Sequence, residues 1–133
     1  MGSEMCIRDS VEVNPVPFEK LSDMQPGESS VIIRKRVTAA RQVQNRRFEH
    51  QKNIHYNAQM TTRQIREYCI LDDQALQLLK SAMERLNLSA RAYDRILKVA
   101  RTIADLEASE SVLPVHIAEA IQYRSLDREG WLG

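Results

Sequence analysis

Residues 89 to 107 read SARAYDRILKVARTIADLE, and this stretch decides the fold. Ser89 is placed to cap a helix, its hydroxyl accepting from a backbone N–H two or three residues on. At 100° per residue, Ala92, Tyr93, Ile96, Val99, Ala100, Ile103, Ala104 and Leu106 fill about half of the circumference. Arg91, Arg95, Lys98, Arg101 and Asp105 fill the rest, so the expected helix is buried along one side and carries a basic ridge along the other. Arg91 falls in the first turn, where a cation opposes the helix dipole at a cost of roughly 0.3 to 1 kcal/mol, so an anion outside the helix is its natural partner.

Working outward, the chain reads as helical. Among 133 residues there are four Gly, four Pro, two Phe, four Tyr and one Trp, a composition that disfavours a strand-rich fold. Ser29 or Ser30 is placed to cap a helix to about Lys52, with Ile33, Val37, Ala40 and Phe48 as its apolar stripe and Gln44 interrupting it. Thr61 or Thr62 opens a short helix through Tyr68, and Asp72 or Asp73 one to about Leu86 with Ala75, Leu76, Leu79, Met83 and Leu86 on one face. The connection Leu86–Asn87–Leu88 is short, which implies an antiparallel or steeply crossed pair. Pro114 fits the first turn of a helix to about Arg124, with Ile117, Ala120 and Ile121 facing inward. Five helices follow, at about 30–52, 62–68, 72–86, 89–107 and 114–124, the last four packed as a small bundle. Val11 to Val16 reads as the end of a strand that Pro15 and Pro17 stop, and 129–133 as a tail.

Charge is unevenly spread. Between 34 and 52, seven basic residues (Arg34, Lys35, Arg36, Arg41, Arg46, Arg47, Lys52) face one acid, Glu49, for +6, while the other 12 basic and 17 acidic residues sum to −5 and the total is +1. Such a helix suits nucleic acid, the acidic face of a neighbouring subunit, or plain solvent. Aromatic interleaving is thin, with Phe48 and Tyr56 only, which disfavours a base-stacking platform.

No catalytic set is visible: GxxxxGK[ST], GxSxG, HExxH and an acidic metal-binding strand are all missing from this sequence, so ATP hydrolysis by the chain alone has no chemical basis. His50 and His55 are five apart, a spacing that does not align two imidazoles, and His116 stands alone, so the histidines read as structural or surface residues and no metal site is expected. Cys69 reads as a small core residue; with Cys6 it gives no disulfide framework, and a reducing cytoplasm is the natural compartment. No apolar run is long enough to span a membrane.

The run LSARAYDRILKVARTIADL, followed by HIAEAIQYRSLDR at 116–128, closely resembles the C-terminal helical domain, or lid, of the magnesium-chelatase-like AAA+ ATPases, the competence-related bacterial group. The resemblance extends from about Val11 to Arg128. It includes Arg36, Arg41, Gln44 and Arg47, which match R-V-x-x-A-R-x-x-Q-x-x-R in the helix joining core and lid, and Asn57, Ala58 and Met60, which match N-A-x-M. It implies an all-α lid at 29–128 preceded by the end of an ATPase core and a linker at 11–28. The first ten residues, MGSEMCIRDS, resemble a translated transposon-end sequencing adapter and are set outside the fold, which leads us to expect a Walker A loop in frame upstream of Val11.

The resemblance also implies roles. The S-x-R-A match makes Arg91 the sensor-2 arginine, a lid residue touching the γ-phosphate of ATP, with Arg95, Arg101, Arg36, Arg41 and Arg47 as further nucleotide or subunit contacts. The cofactors would be ATP and Mg²⁺ in the full-length parent, with none bound by this fragment alone. The partners would be the missing ATPase core, further copies in a homo-hexamer, and DNA. The family name does not imply chelatase activity, since nothing here identifies a porphyrin site. A second reading makes residues 75–86 and 89–107 a helix-turn-helix that binds DNA, although Ile96, Leu97, Val99 and Ile103 are too apolar for a groove-reading helix.

Overall fold

Ser89 caps the central helix as its sequence requires, its Oγ accepting from the Ala92 N–H at 3.2 Å. The computed structural model describes residues 13–23 and 25–129, the last six by their backbone alone. In chain order the elements are α1 (Phe18–Ser22), α2 (Ser30–Arg47), a 3-10 turn (Asn57–Gln59), α3 (Thr62–Tyr68), α4 (Asp73–Arg85), α5 (Ala90–Leu106) and α6 (Pro114–Glu129). No strand forms among the described residues; Leu71 and Val112 make one isolated parallel bridge. The all-α bundle is therefore the fold.

The caps follow the expected chemistry. Ser29 accepts from Ile32 N at 3.4 Å, and Asp72 from Ala75 N at 2.7 Å. Thr61 forms a reciprocal capping box with Gln64, whose Oε1 accepts from the Thr61 N–H at 2.9 Å. His116 does the same work for α6 in an unforeseen way. It is fully buried, and its Nδ1 accepts from Leu113 N at 3.0 Å. That bond leaves the ring proton on Nε2, which faces Glu107 Oε2 at 2.8 Å.

The helix ends are equally specific. Leu88 N bonds Met83 O and Asn87 N bonds Glu84 O, with Asn87 at φ 49°, a Schellman stop that reverses the chain after α4. Ser109 N to Ala104 O and Ala108 N to Asp105 O repeat the motif after α5, with Ala108 at φ 56°.

α5 is the hub, packing against α6, α2, the 3-10 turn and α3. Ile65, Leu79, Ile96 and Ile117 are each at most 2 % exposed, and burying a side chain of that size stabilises the fold by about 1.5 to 3 kcal/mol. Phe48 meets Tyr68 edge to face at 5.5 Å between centroids.

Several expectations are corrected. α2 ends at Arg47 and not near Lys52, because Phe48 leaves the helical path to enter the core at 2 % exposure. The stripe of α2 is buried only in its C-terminal half: Ile33 and Val37 are 40 % and 45 % exposed, whereas Ala40 and Gln44 are buried. Leu76 is 47 % exposed, since α4 rests mainly on α6 through Ala75 and Leu79. The strand end is not formed where it is described: Val13 and Val16 are exposed with no ladder partner, and a short helix, α1, follows. Val11, the ten residues before it and the end of the tail lie outside the described residues, as does the side chain of Arg124.

Candidate functional site

Six arginines carry the functional expectations, and the structure sorts them into different environments. Helical spacing puts Arg101 and Asp105 on the exposed ridge of α5, but both are buried at 3 % exposure. Arg101 donates from Nε to Asp105 Oδ1 at 3.2 Å, from Nη1 to Glu110 O at 2.7 Å and from Nη2 to Ser109 O at 2.6 Å. It thereby satisfies carbonyls in the loop after α5. Burial pulls its guanidinium below the ordinary arginine range, and the adjacent Asp105 carboxylate opposes that pull.

Arg47 closes the same network from α2. Its Nη2 and Nη1 donate to the two Asp105 oxygens at 2.6 and 2.8 Å, and Nη1 also donates to Asn57 Oδ1 at 2.8 Å. Asn57 in turn donates from Nδ2 to Asp105 Oδ2 at 2.7 Å and from its backbone N to Gln44 Oε1 at 3.0 Å. Gln44, the polar residue in the apolar stripe of α2, is thus the buried acceptor that fixes the 3-10 turn. Among the described residues no buried side-chain polar atom lacks a partner. Arg47 and Arg101 belong to the architecture of the bundle.

The two other candidates on α2, Arg36 and Arg41, lie on its surface. Arg36 makes a fork with Glu28 at 2.7 and 3.2 Å, which raises its pKa through that hydrogen bond and the carboxylate charge. Arg41 stacks over the Tyr56 ring at 4.3 Å.

Arg91 and its helix neighbour Arg95 remain. Arg95 is half-buried one turn further along α5. Arg91 is exposed, makes no ion pair or hydrogen bond among the described residues, and lines an open cavity of about 780 Å³ between α3 and α5. Its only local acid, Asp94, accepts instead from Thr62 Oγ1 at 3.0 Å. The floor is apolar, made by Ile65, Cys69, Met83 and Leu97. Burial pushes the Cys69 thiol up to about 11, so at neutral pH it stays a protonated core group that donates to Leu97 O.

Arg66 also lines this cavity, and sequence reasoning missed it. The signal available was its i+4 spacing from Thr62 on α3, too short a helix for its faces to be assigned from periodicity.

No group of three or more His, Cys, Asp or Glu that could hold a metal occurs among the described residues. No described helix is long and apolar enough to cross a membrane. The helix-turn-helix reading loses its recognition helix, because Ile96, Leu97 and Ile103 are buried in the core.

Comparison with known proteins agrees with this architecture. The family described as magnesium chelatase, subunit ChlI C-terminal, matches residues 27–124. The protein YifB of Salmonella typhimurium strain LT2 is 44 % identical over 102 residues, 77 % of this chain and 19 % of that protein. YifB of Escherichia coli K12 is 42 % identical over 114 residues, 86 % of this chain and 22 % of that protein. The competence protein ComM of Haemophilus influenzae is 38 % identical over 120 residues, 90 % and 23 % of the two chains. The chain therefore spans about a fifth of the length of these relatives. Its helical bundle belongs to the C-terminal domain family of the magnesium-chelatase-like AAA+ proteins.

Proposed function

We propose that this domain is the lid of a larger AAA+ ATPase and that Arg91 reaches the γ-phosphate of ATP held with Mg²⁺ by an ATPase core outside this sequence. The observation that carries the reading is the position of Arg91: first turn of α5, rim of an open cavity, no internal counter-charge among the described residues. A cation there opposes the helix dipole, so an external anion relieves a real cost. Guanidinium suits the role because it stays charged at working pH and offers a planar fork to phosphate oxygens. Arg95, on the same helix, is the second candidate for nucleotide contact.

In this reading the parent works in the cytoplasm as a homo-hexameric ring motor that remodels DNA. The basic surface of α2, with Arg34, Lys35, Arg41 and Arg46 exposed, meets DNA or the neighbouring subunit. Membership of a family with a competence protein supports this extension. Binding of a short duplex by the isolated domain, followed against salt, separates the two: DNA contact gives a slope that steepens with each phosphate neutralised.

The decisive experiment is Arg91→Ala in the full-length ATPase. ATP hydrolysis should fall by one to several powers of ten, by analogy with the roughly 10³ to 10⁵ supplied by a charge-stabilising arginine in phosphoryl transfer. Unfolding should stay within about 1 kcal/mol of the parent, as for a surface site. Parent-like turnover would move the role to Arg95, and parent-like turnover in both variants would end the reading.

A further inference from the structure

We infer that Arg66 of α3 is a second phosphate-binding residue of the α3–α5 cavity, acting opposite Arg91 on the polyphosphate chain of a nucleoside triphosphate. This rests on the lid reading for Arg91 and adds a residue that the sequence patterns did not single out.

Arg66 and Arg91 come from different helices, both are exposed, and both line the same cavity. Neither makes an ion pair or hydrogen bond among the described residues. Two guanidinium groups brought to one cavity repel unless an anion lies between them. Asp94 is the one carboxylate among the lining residues, and its Oδ2 already accepts from Thr62 at 3.0 Å, which ties it to the α3 side.

Cavity shape and floor narrow the ligand. A volume of about 780 Å³ lies within the roughly 300 to 1,000 Å³ usual for small-molecule sites. Ile65, Met83 and Leu97 give the cavity an apolar lining beside its two arginines, the mix of apolar wall and a few charged groups usual for small-molecule sites. A triphosphate concentrates its charge over a few atoms, which matches two arginines facing one cavity. An extended phosphodiester chain would suit the long basic surface of α2 better.

The test is an amide chemical-shift titration of the 133-residue chain with inorganic tripolyphosphate, ATP and a short oligothymidylate at matched ionic strength. Weak binding in the millimolar range is expected for tripolyphosphate and ATP, with shifts at residues 62–69 and 90–97. Arg66→Ala and Arg91→Ala should each weaken it by about tenfold, the usual scale of a lost charge-assisted bond. Arg63→Ala, on the same helix but away from the cavity, should not. Unchanged affinity in Arg66→Ala, equal losses in all three variants, no binding by the parent chain, or preference for oligothymidylate would each overturn the inference. Loss in Arg66→Ala with parent-like binding in Arg91→Ala would keep Arg66 and remove Arg91 from its proposed role. Should Arg66→Ala lose its folded spectrum, Arg66→Gln keeps the stem and carries the same test.

Discussion

Arg47 on α2 and Asp105 on α5 are joined by two hydrogen bonds, 2.6 and 2.8 Å long, across 58 positions of sequence. Asp105 has no side-chain exposure, and it also holds Arg101 and Asn57. One carboxylate therefore ties α2, the 3-10 turn and, through Arg101, the loop after α5 to the same point.

Asp105→Ala should destabilise the domain by about 3 to 5 kcal/mol, because it leaves two guanidinium groups buried or half-buried without their counter-charge. Urea unfolding checks this. Arg36→Ala, which breaks the exposed fork with Glu28, should leave the midpoint unchanged. A loss below about 1 kcal/mol for Asp105→Ala would mean that water replaces the carboxylate easily and that the network is not what orients α2.

Ala108 holds φ 56° at the Schellman stop of α5, a conformation that costs a residue with a Cβ about 1 kcal/mol or more. Ala108→Gly should relieve that cost and lose part of the gain to the freer unfolded chain. The expected result is a net stabilisation of about 0.5 kcal/mol, read as a higher urea midpoint with an unchanged slope.

Much of this was legible in the sequence, and the reasons are specific. Ser29, Thr61, Asp72 and Ser89 announce helix starts because capping is local chemistry. The motifs at 36–47, 57–60 and 89–106 pointed to the family that the comparisons show. What failed was the burial of charge. Periodicity assigned Arg101 and Asp105 to solvent because their types are polar, yet the same face has to contact α2 and the loop after α5, and a paired Arg–Asp can be buried where a lone charge cannot. The N-terminal half of α2 failed for the opposite reason. Its apolar residues keep helical spacing, but the helix extends past the elements that would cover them.

That overhang has a dynamic consequence. Residues 31–37 of α2 have exposed side chains, whereas Ala40, Gln44 and Phe48 anchor the other half. An isolated helical segment of two turns is marginal in water. Amide hydrogen exchange should therefore be faster over 34–38 than over 42–47 by about tenfold or more, since local opening of the overhang breaks few tertiary contacts. Uniform protection along α2 would show that the overhang is covered in solution.

Cys69 gives a pH signature of the core. Burial lifts its thiol from an ordinary value of 9.0 to about 11, with the nearby Arg101 charge opposing the shift. Below pH 9 the folded and unfolded chains both keep this proton, and the shift has no effect on stability. Above it the unfolded chain ionises at Cys69 while the folded chain holds its proton, so the native state binds more protons and stability falls as pH rises toward 11. A two-unit difference corresponds to a loss on the order of 2 kcal/mol by the end of that window. Cys69→Ala should lower stability at neutral pH through lost packing but remove this share of the alkaline slope. Urea midpoints measured for both chains from pH 8 to 11 decide the matter: parallel curves would place the thiol in contact with water and its ionisation outside the folding balance.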